Sequence, residues 1–177
     1  HPRFAGDTLP QGAIACAVAL ADKLDTLLGI YGIGQVPTGD KDPFGLRRHA
    51  LGILRILVET PLDLPLPALI KIAAGNFPAD MLSATVASDV EGFMLDRLRG
   101  YLRENQVDIL HVRSRMPGWI CYLAWKGMDP KNRPHLVTTV HGPYSVNAYS
   151  AVMAKGERVI VISEMIREYV LKSYPSV

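Results

Sequence analysis

Cysteine is scarce: the 177-residue chain has 2. They are Cys16 and Cys121, each inside an apolar stretch, with no CxxC pair and no Cys/His cluster. That excludes a disulfide-stapled secreted scaffold and a thiolate zinc site, and leaves two buried free thiols as the expectation. Aromatic residues are also few, at 7%. No signal peptide, internal repeat or low-complexity segment is present. The longest apolar stretch, Gly12–Gly34, is interrupted by Asp22, Lys23 and Asp25, which are costly in a bilayer, so no transmembrane segment is expected. Charged residues make up only 20% and the net charge is +2, which by itself selects no partner. A hydrophobic fraction of 49% is enough for a packed core and excludes wholesale disorder. A soluble, cytoplasmic chain is expected. It starts at His1 rather than Met, so it is expected to be processed or to lie inside a longer frame.

The charge is uneven. Residues 1–107 hold 10 Lys/Arg and 12 Asp/Glu, whereas residues 108–177 hold 9 and 5. The structural pattern changes at the same place. Ile14, Val18, Ala21, Leu24 and Leu28 recur at helical spacing and predict a helix over 13–31. QVPTGDK at 35–41 is turn chemistry. Asp42 followed by Pro43 reads as a helix start, with Leu46, Ala50, Ile53, Leu54 and Leu57 as its apolar stripe. Thr60–Pro67 is an extended connector, Ala68–Ala74 a short helix, and Ser88–Glu104 a third strong helix. After Asn105, VDILHV (107–112) reads as a buried strand, and HLVTTV (135–140) and RVIVIS (158–163) read as a second and a third strand. Helical stretches at 119–128, 149–155 and 164–174 follow them. Strands alternating with helices at this spacing predict a parallel sheet. The expected fold is therefore mixed: an all-α piece over 1–105, then a partial α/β Rossmann-like parallel sheet over 106–177.

The strings RFAGDTLP and ALADKLDTLLGIYGIGQVPTGDKDPFGLRRHALGILRILVE, within residues 3–59, are long and nearly gap-free. With FMLDRLRGYLRE at 93–104, they resemble the β subunit of the bacterial, tetrameric type of glycyl-tRNA synthetase. The resemblance implies ATP-dependent joining of glycine to tRNA. The α subunit would carry the adenylate-forming site and the β subunit would bind and position tRNA. It places this stretch in a helical HD-type region, in which Asp22 of ALADKL matches the last metal-ligand motif. The only histidine upstream is His1, and no His-Asp pair precedes Asp22, so no metal site assembles from this chain. Asp22 and Asp25 are then expected as partly buried acids paired with Arg or Lys. Arg47 and Arg48 fall at the positive end of a helix dipole and need compensation. Asp40 and Asp42 supply it on one reading. On the other, tRNA phosphate does, with Lys41, Arg47, Arg48 and Arg55 along one region and Arg97, Arg99 and Arg103 along another. No aromatic platform for unpaired bases stands in this piece.

VDILHVRSRMPGW and HLVTTVHGPYSVNAYSAVMAKGERVIVISEMIREYVLKSYP, within residues 107–175, resemble the first half of GT-B-fold, family-four glycosyltransferases. These transfer a sugar from a nucleotide-sugar donor to an acceptor in lipopolysaccharide or other glycan synthesis. Ligands of open α/β sheets collect at the carboxyl ends of the strands. His111 and Arg113, His141 and Gly142, and Ser163 and Glu164 follow the three strands there. Gly142 leaves room for a ligand, and His141 is placed to orient an acceptor hydroxyl or a phosphate. Ser163 equally serves as a helix cap, and His111 and Arg113 as packing and salt-bridge residues. The donor-binding second domain and the glycine-rich loop after the first strand are expected to be absent. The reading is thus of two incomplete pieces joined near Arg103–Val107. It carries no complete catalytic site and no metal, and binds no cofactor of its own, ATP and nucleotide-sugar belonging to the parent families. The expected partners are tRNA and the synthetase α subunit for the first piece, and nucleotide-sugar and acceptor for the second. Exposed strand edges and apolar faces are expected in the second piece, and undercovered apolar stripes in the first.

Overall fold

The computed structural model describes residues 7–60, 62–78, 80–175 and 177. Two compact units divide it, one ending at Leu98 and the other beginning at Arg99. The architecture is mixed, with helices preceding a three-stranded parallel sheet and its own helices.

The helices are α1 (Ala13–Gly32), α2 (Leu46–Glu59), α3 (Leu66–Ala74) and α4 (Val86–Glu104), the last of which contains the division between the units. The core of the first unit is dense. Leu27, Leu28, Leu46, Ile53, Ile56 and Leu57 have no exposed surface, and each such side chain stabilises by about 1.5–3 kcal/mol. The inward face of α1 differs from the expected one. Cys16, Ala19, Leu20, Lys23, Leu24, Leu27 and Leu28 are buried, while Ile14 and Val18 remain 83% and 57% exposed. An almost uniformly apolar helix has little periodicity to mark its inner side. Asp22 and Asp25 are exposed on its outer side, not partly buried as expected.

Helix α2 begins three residues later than the Asp42–Pro43 signal suggests. Gly45 adopts a left-handed conformation (φ 66°) and Leu46 is the first helical residue. Asp42 still caps: its carboxylate accepts from the Leu46 and Arg47 backbone N–H groups at 2.7 and 3.0 Å. The Gly45 N–H bonds to the Asp42 carbonyl across a turn, so Pro43 holds the second turn position instead of the first helical one. Pro67 lies in the first turn of α3, where its missing N–H leaves nothing unsatisfied.

The second unit contains β1 (Ile109–Val112), α5 (Arg115–Lys126), β2 (His135–Val140), a 3-10 helix at Ser150–Ala154, β3 (Arg158–Val161) and α6 (Glu164–Ser173). The strand order is β1-β2-β3 and both pairings are parallel, with Ile109 opposite His135 and Val137 opposite Arg158. Paired residues share a face. Leu110, Val112, Leu136, Val140, Val159 and Val161 face α5, the 3-10 helix and α6 through Cys121, Trp125, Val152, Met153, Ile166 and Val170. The alternate residues Ile109 and Ile160 are 60% and 48% exposed. The expectation of a buried first strand is therefore corrected, and β3 is like β1 in this respect. Each is an edge strand covered on one face, and only β2 is largely enclosed.

The stretch expected to join two pieces is a well-formed helix end. The Val107 N–H reaches the Leu102 carbonyl and the Gln106 N–H the Arg103 carbonyl, both at 3.1 Å, with Gln106 left-handed at φ 48°. This is a Schellman closure of α4, with glutamine where glycine costs less. Arg99, one of the basic residues of the α4 series, is spent locally. Its Nε and Nη2 donate to the Ala124 and Leu123 carbonyls, 3.0 and 3.2 Å away, at the negative end of α5.

Candidate functional site

On the phosphate-binding reading, Lys41, Arg47, Arg48 and Arg55 are expected along one region. The Arg47 guanidinium donates to the Gly39 carbonyl. Arg55 pairs with Glu59 at 2.7 Å, and its Nη1 donates to the Asp7 carbonyl at 3.0 Å, 48 residues away in sequence. These two hold the fold. Arg48 is exposed, its guanidinium lying against Gly45, and Lys41 is exposed beside the turn at Thr38. Neither of the latter side chains hydrogen bonds or ion pairs with the described residues.

Asp22 is exposed on α1, and its backbone carbonyl accepts from Thr26 Oγ1. Among the described residues no three His, Cys, Asp or Glu side chains converge to hold a metal; His1 lies outside them. The neighbour of Asp22 is the unexpected one. Lys23 is only 5% exposed, with its stem against α2 at Gly52. Burial lowers the Lys23 pKa, opposed by the Asp22 charge. Burial, then the Lys23 charge, also lowers that of His49, whose buried Nδ1 has no hydrogen-bond partner among the described residues. In both groups burial disfavours the charged form. Sequence periodicity gave no sign of a lysine on the inner side. Its one signal was Gly52, the small residue that leaves space for the stem.

In the second unit the carboxyl ends of β1 and β2 lie side by side. His111 Nε2 is 2.7 Å from Thr139 Oγ1. Arg113 Nε donates to His141 Nε2 at 3.4 Å, and both residues are exposed. Two residues on, Arg115 lies over the rings of Tyr144 and Tyr149, 5.1 and 5.2 Å from their centres, and its Nη1 reaches Ser150 Oγ at 3.5 Å. The Tyr144 carbonyl accepts from the Tyr169 hydroxyl, which ties the loop to α6. A side chain at Gly142 would meet nothing within 4 Å. Ser163 and Glu164 lie after β3 and are used differently. Ser163 Oγ accepts from the Ile166 N–H at 3.3 Å as the cap of α6, and Glu164 pairs with Arg167 at 2.7 Å. Of the six residues expected at this edge, the structure thus brings His111 to Thr139 and Arg113 to His141. Arg115 and the two tyrosines were missed. The arginine alternation at 113 and 115 was the one available sign. Cys121 is buried with Val112, Trp125 and Leu136, and burial pushes its thiol up to about 12.

Residues 1–116 match the family described as Glycyl-tRNA synthetase beta subunit. The chain belongs to that family. Relatives named Glycine--tRNA ligase beta subunit include that of Aromatoleum aromaticum, 63% identical over 113 residues, which are 62% of this chain and 16% of the relative. That of Tolumonas auensis is 53% identical over 158 residues, 89% of this chain and 22% of the relative. That of Pectobacterium carotovorum is 44% identical over 159 residues, 90% and 22%. The chain spans about a fifth of the length of these relatives. The two longer alignments run past residue 116, so likeness to the synthetase beta subunit continues into the α/β unit. Residues 89–176 also match the family described as Glycosyltransferase Family 4, and the two matches share residues 89–116. Among the described residues no helix is long and apolar enough to cross a membrane.

Proposed function

We propose that this chain serves glycine–tRNA ligation as a tRNA-contacting, subunit-associating part of the beta subunit, in the cytoplasm with the alpha subunit, and that alone it has no ligase activity. The observation that carries this is the family match over residues 1–116, which spans the whole helical unit. Lys41 and Arg48 are the phosphate-binding side chains, because Arg47 and Arg55 are already engaged by the fold. ATP stays with the assembled ligase; this chain binds none itself. A filter-binding titration with tRNA tests the reading. Affinity is expected to fall as salt rises, and Lys41→Gln with Arg48→Gln is expected to reduce the salt slope by roughly 0.7–0.9 for each phosphate no longer neutralised. No binding at low salt, or an unchanged slope in the double variant, removes the reading.

A second reading is favoured by the parallel sheet and the match over residues 89–176. The α/β unit is then an acceptor-side scaffold of the family-four glycosyltransferase kind. The nucleotide-sugar donor is held elsewhere, so thermal shift with nucleotide-sugars is expected to be flat. A saturable rise in melting temperature would contradict that division of labour.

A further inference from the structure

We propose that Arg113 and His141 form a subsite for a phosphate monoester at the carboxyl edge of the sheet. The inference deepens the second reading by naming the anion that this edge takes.

The two residues follow the last residues of adjacent parallel strands, Val112 and Val140, so their positions are fixed by the β1–β2 register. Arg113 spends its Nε on His141 Nε2. A guanidinium bound through Nε to an imidazole keeps its two Nη groups for a second partner. They present the planar fork that matches two phosphate oxygens. No carboxylate among the described residues pairs with Arg113, so its charge is uncompensated where it stands. Behind the pair, His111 is anchored to Thr139, and beside it Gly142 leaves open space. Ser114, the residue ahead of α5, makes no side-chain cap, so the positive end of that helix adds to the same field.

The neighbouring tyrosines decide between a small phosphate and a nucleic-acid strand. Strand binding uses open aromatic faces on which bases stack. Here Tyr144 and Tyr149 both hold the Arg115 guanidinium, and Trp119 Nε1 donates to the Tyr149 carbonyl at 2.9 Å. The rings are committed to bracing the loop and are poor stacking platforms. A dianionic monoester fits the charged fork with no need for stacking.

The test is equilibrium titration of the whole 177-residue chain with glucose 1-phosphate, and separately with inorganic phosphate and poly(U), at low salt. Saturable binding of glucose 1-phosphate is expected. Arg113→Gln is expected to weaken it about tenfold or more, since it removes a charge-assisted pair of hydrogen bonds. Arg113→Lys, which keeps the charge and loses the fork, is expected to weaken it less. His141→Ala is expected to weaken it severalfold by freeing the guanidinium from its position. Arg158→Gln, at the amino end of β3, is expected to leave it unchanged. Equal binding of inorganic phosphate would identify the phosphate group alone as the ligand, while tighter binding of the ester would add a sugar interaction. Either result supports the subsite. It is overturned if no saturable binding occurs, if Arg113→Gln and Arg158→Gln weaken it equally, or if only poly(U) binds in an Arg113-dependent way. A nucleotide-sugar shift that persists in Arg113→Gln contradicts the second reading alone and leaves the subsite standing.

Discussion

Arg47 and Arg55 of the helical unit contrast with Arg113 and Arg115 of the α/β unit. Arg47 and Arg55 hold backbone carbonyls and a neighbouring glutamate. Arg113 points its charge at a histidine, and Arg115 is held by two aromatic rings and a serine. Both units contain basic pairs that sequence marks as candidates. The difference lies in what surrounds them. A long loop such as 35–45 leaves carbonyls unsatisfied, and arginine is the side chain that reaches them. At the end of parallel strands the sheet has already satisfied its own backbone, so side chains there are left to meet a ligand. A basic residue beside an irregular loop is therefore weaker evidence of anion binding than one at a strand's carboxyl end.

Covering of the core separates the units further, and truncation sharpens that contrast most. Leu57→Ala, with no exposed surface before the change, is expected to destabilise the first unit by about 2–5 kcal/mol. Ile160→Ala on the uncovered sheet face is expected to stay within about 0.5 kcal/mol. Chemical denaturation reads both, and comparable losses would break the contrast. Gly156→Ala comes next. Its added carbon would stand 2.7 Å from the Arg158 carbonyl and 3.1 Å from the Thr138 N–H. Because both are backbone atoms, strands β2 and β3 must shift, at about 1–3 kcal/mol. Hydrogen exchange at Thr138 and Val159 locates the damage.

Ser163→Ala is expected to cost about 1 kcal/mol through the lost cap of α6, followed by helical circular dichroism on heating. Gln106→Gly runs the other way. It relieves a left-handed glutamine and is expected to stabilise by about 0.5–1 kcal/mol in the same melting experiment. Acid supplies the last comparison. The folded-state pKa of His49 lies below its ordinary 6.5 because of burial, then Lys23, with Arg48 adding to the effect and Asp22 and Asp42 opposing it. The unfolded chain therefore binds more protons in that window, and stability of the helical unit is expected to decline as pH falls below 6.5 and to level off below the folded value. Lys23 has the same sign, in a window below 10.5. In His49→Ala the acid slope should flatten; a slope that survives assigns it to other groups.

Element type and order were legible throughout, because proline, caps and apolar period are local signals. Asp42 shows the limit of such signals. Its capping oxygen was readable, yet the helix waits for Gly45 to turn, and a turn residue's φ is fixed by the whole loop. Alternation in β1 and β3 was hidden because their outward residues, Ile109 and Ile160, are themselves apolar. The inner side of α1 was hidden for the related reason that Ile14 and Val18 look like core. At the carboxyl edge, strand ends pointed to His141 and Arg113, whereas Arg115 needed the loop to fold back over it. Pairing across 35 residues, as between Arg115 and Ser150, leaves no local trace.

Arg99 carries a practical consequence for dissecting the molecule. Two carbonyls at the tail of α5 depend on a guanidinium that precedes the strands in sequence. A protein begun at residue 106 would contain every strand and still release that tail to water, and its last turn would fray. One begun ahead of Arg99 keeps the clasp. Limited proteolysis of the two truncations should find the first cut near Lys126 and the second resistant there.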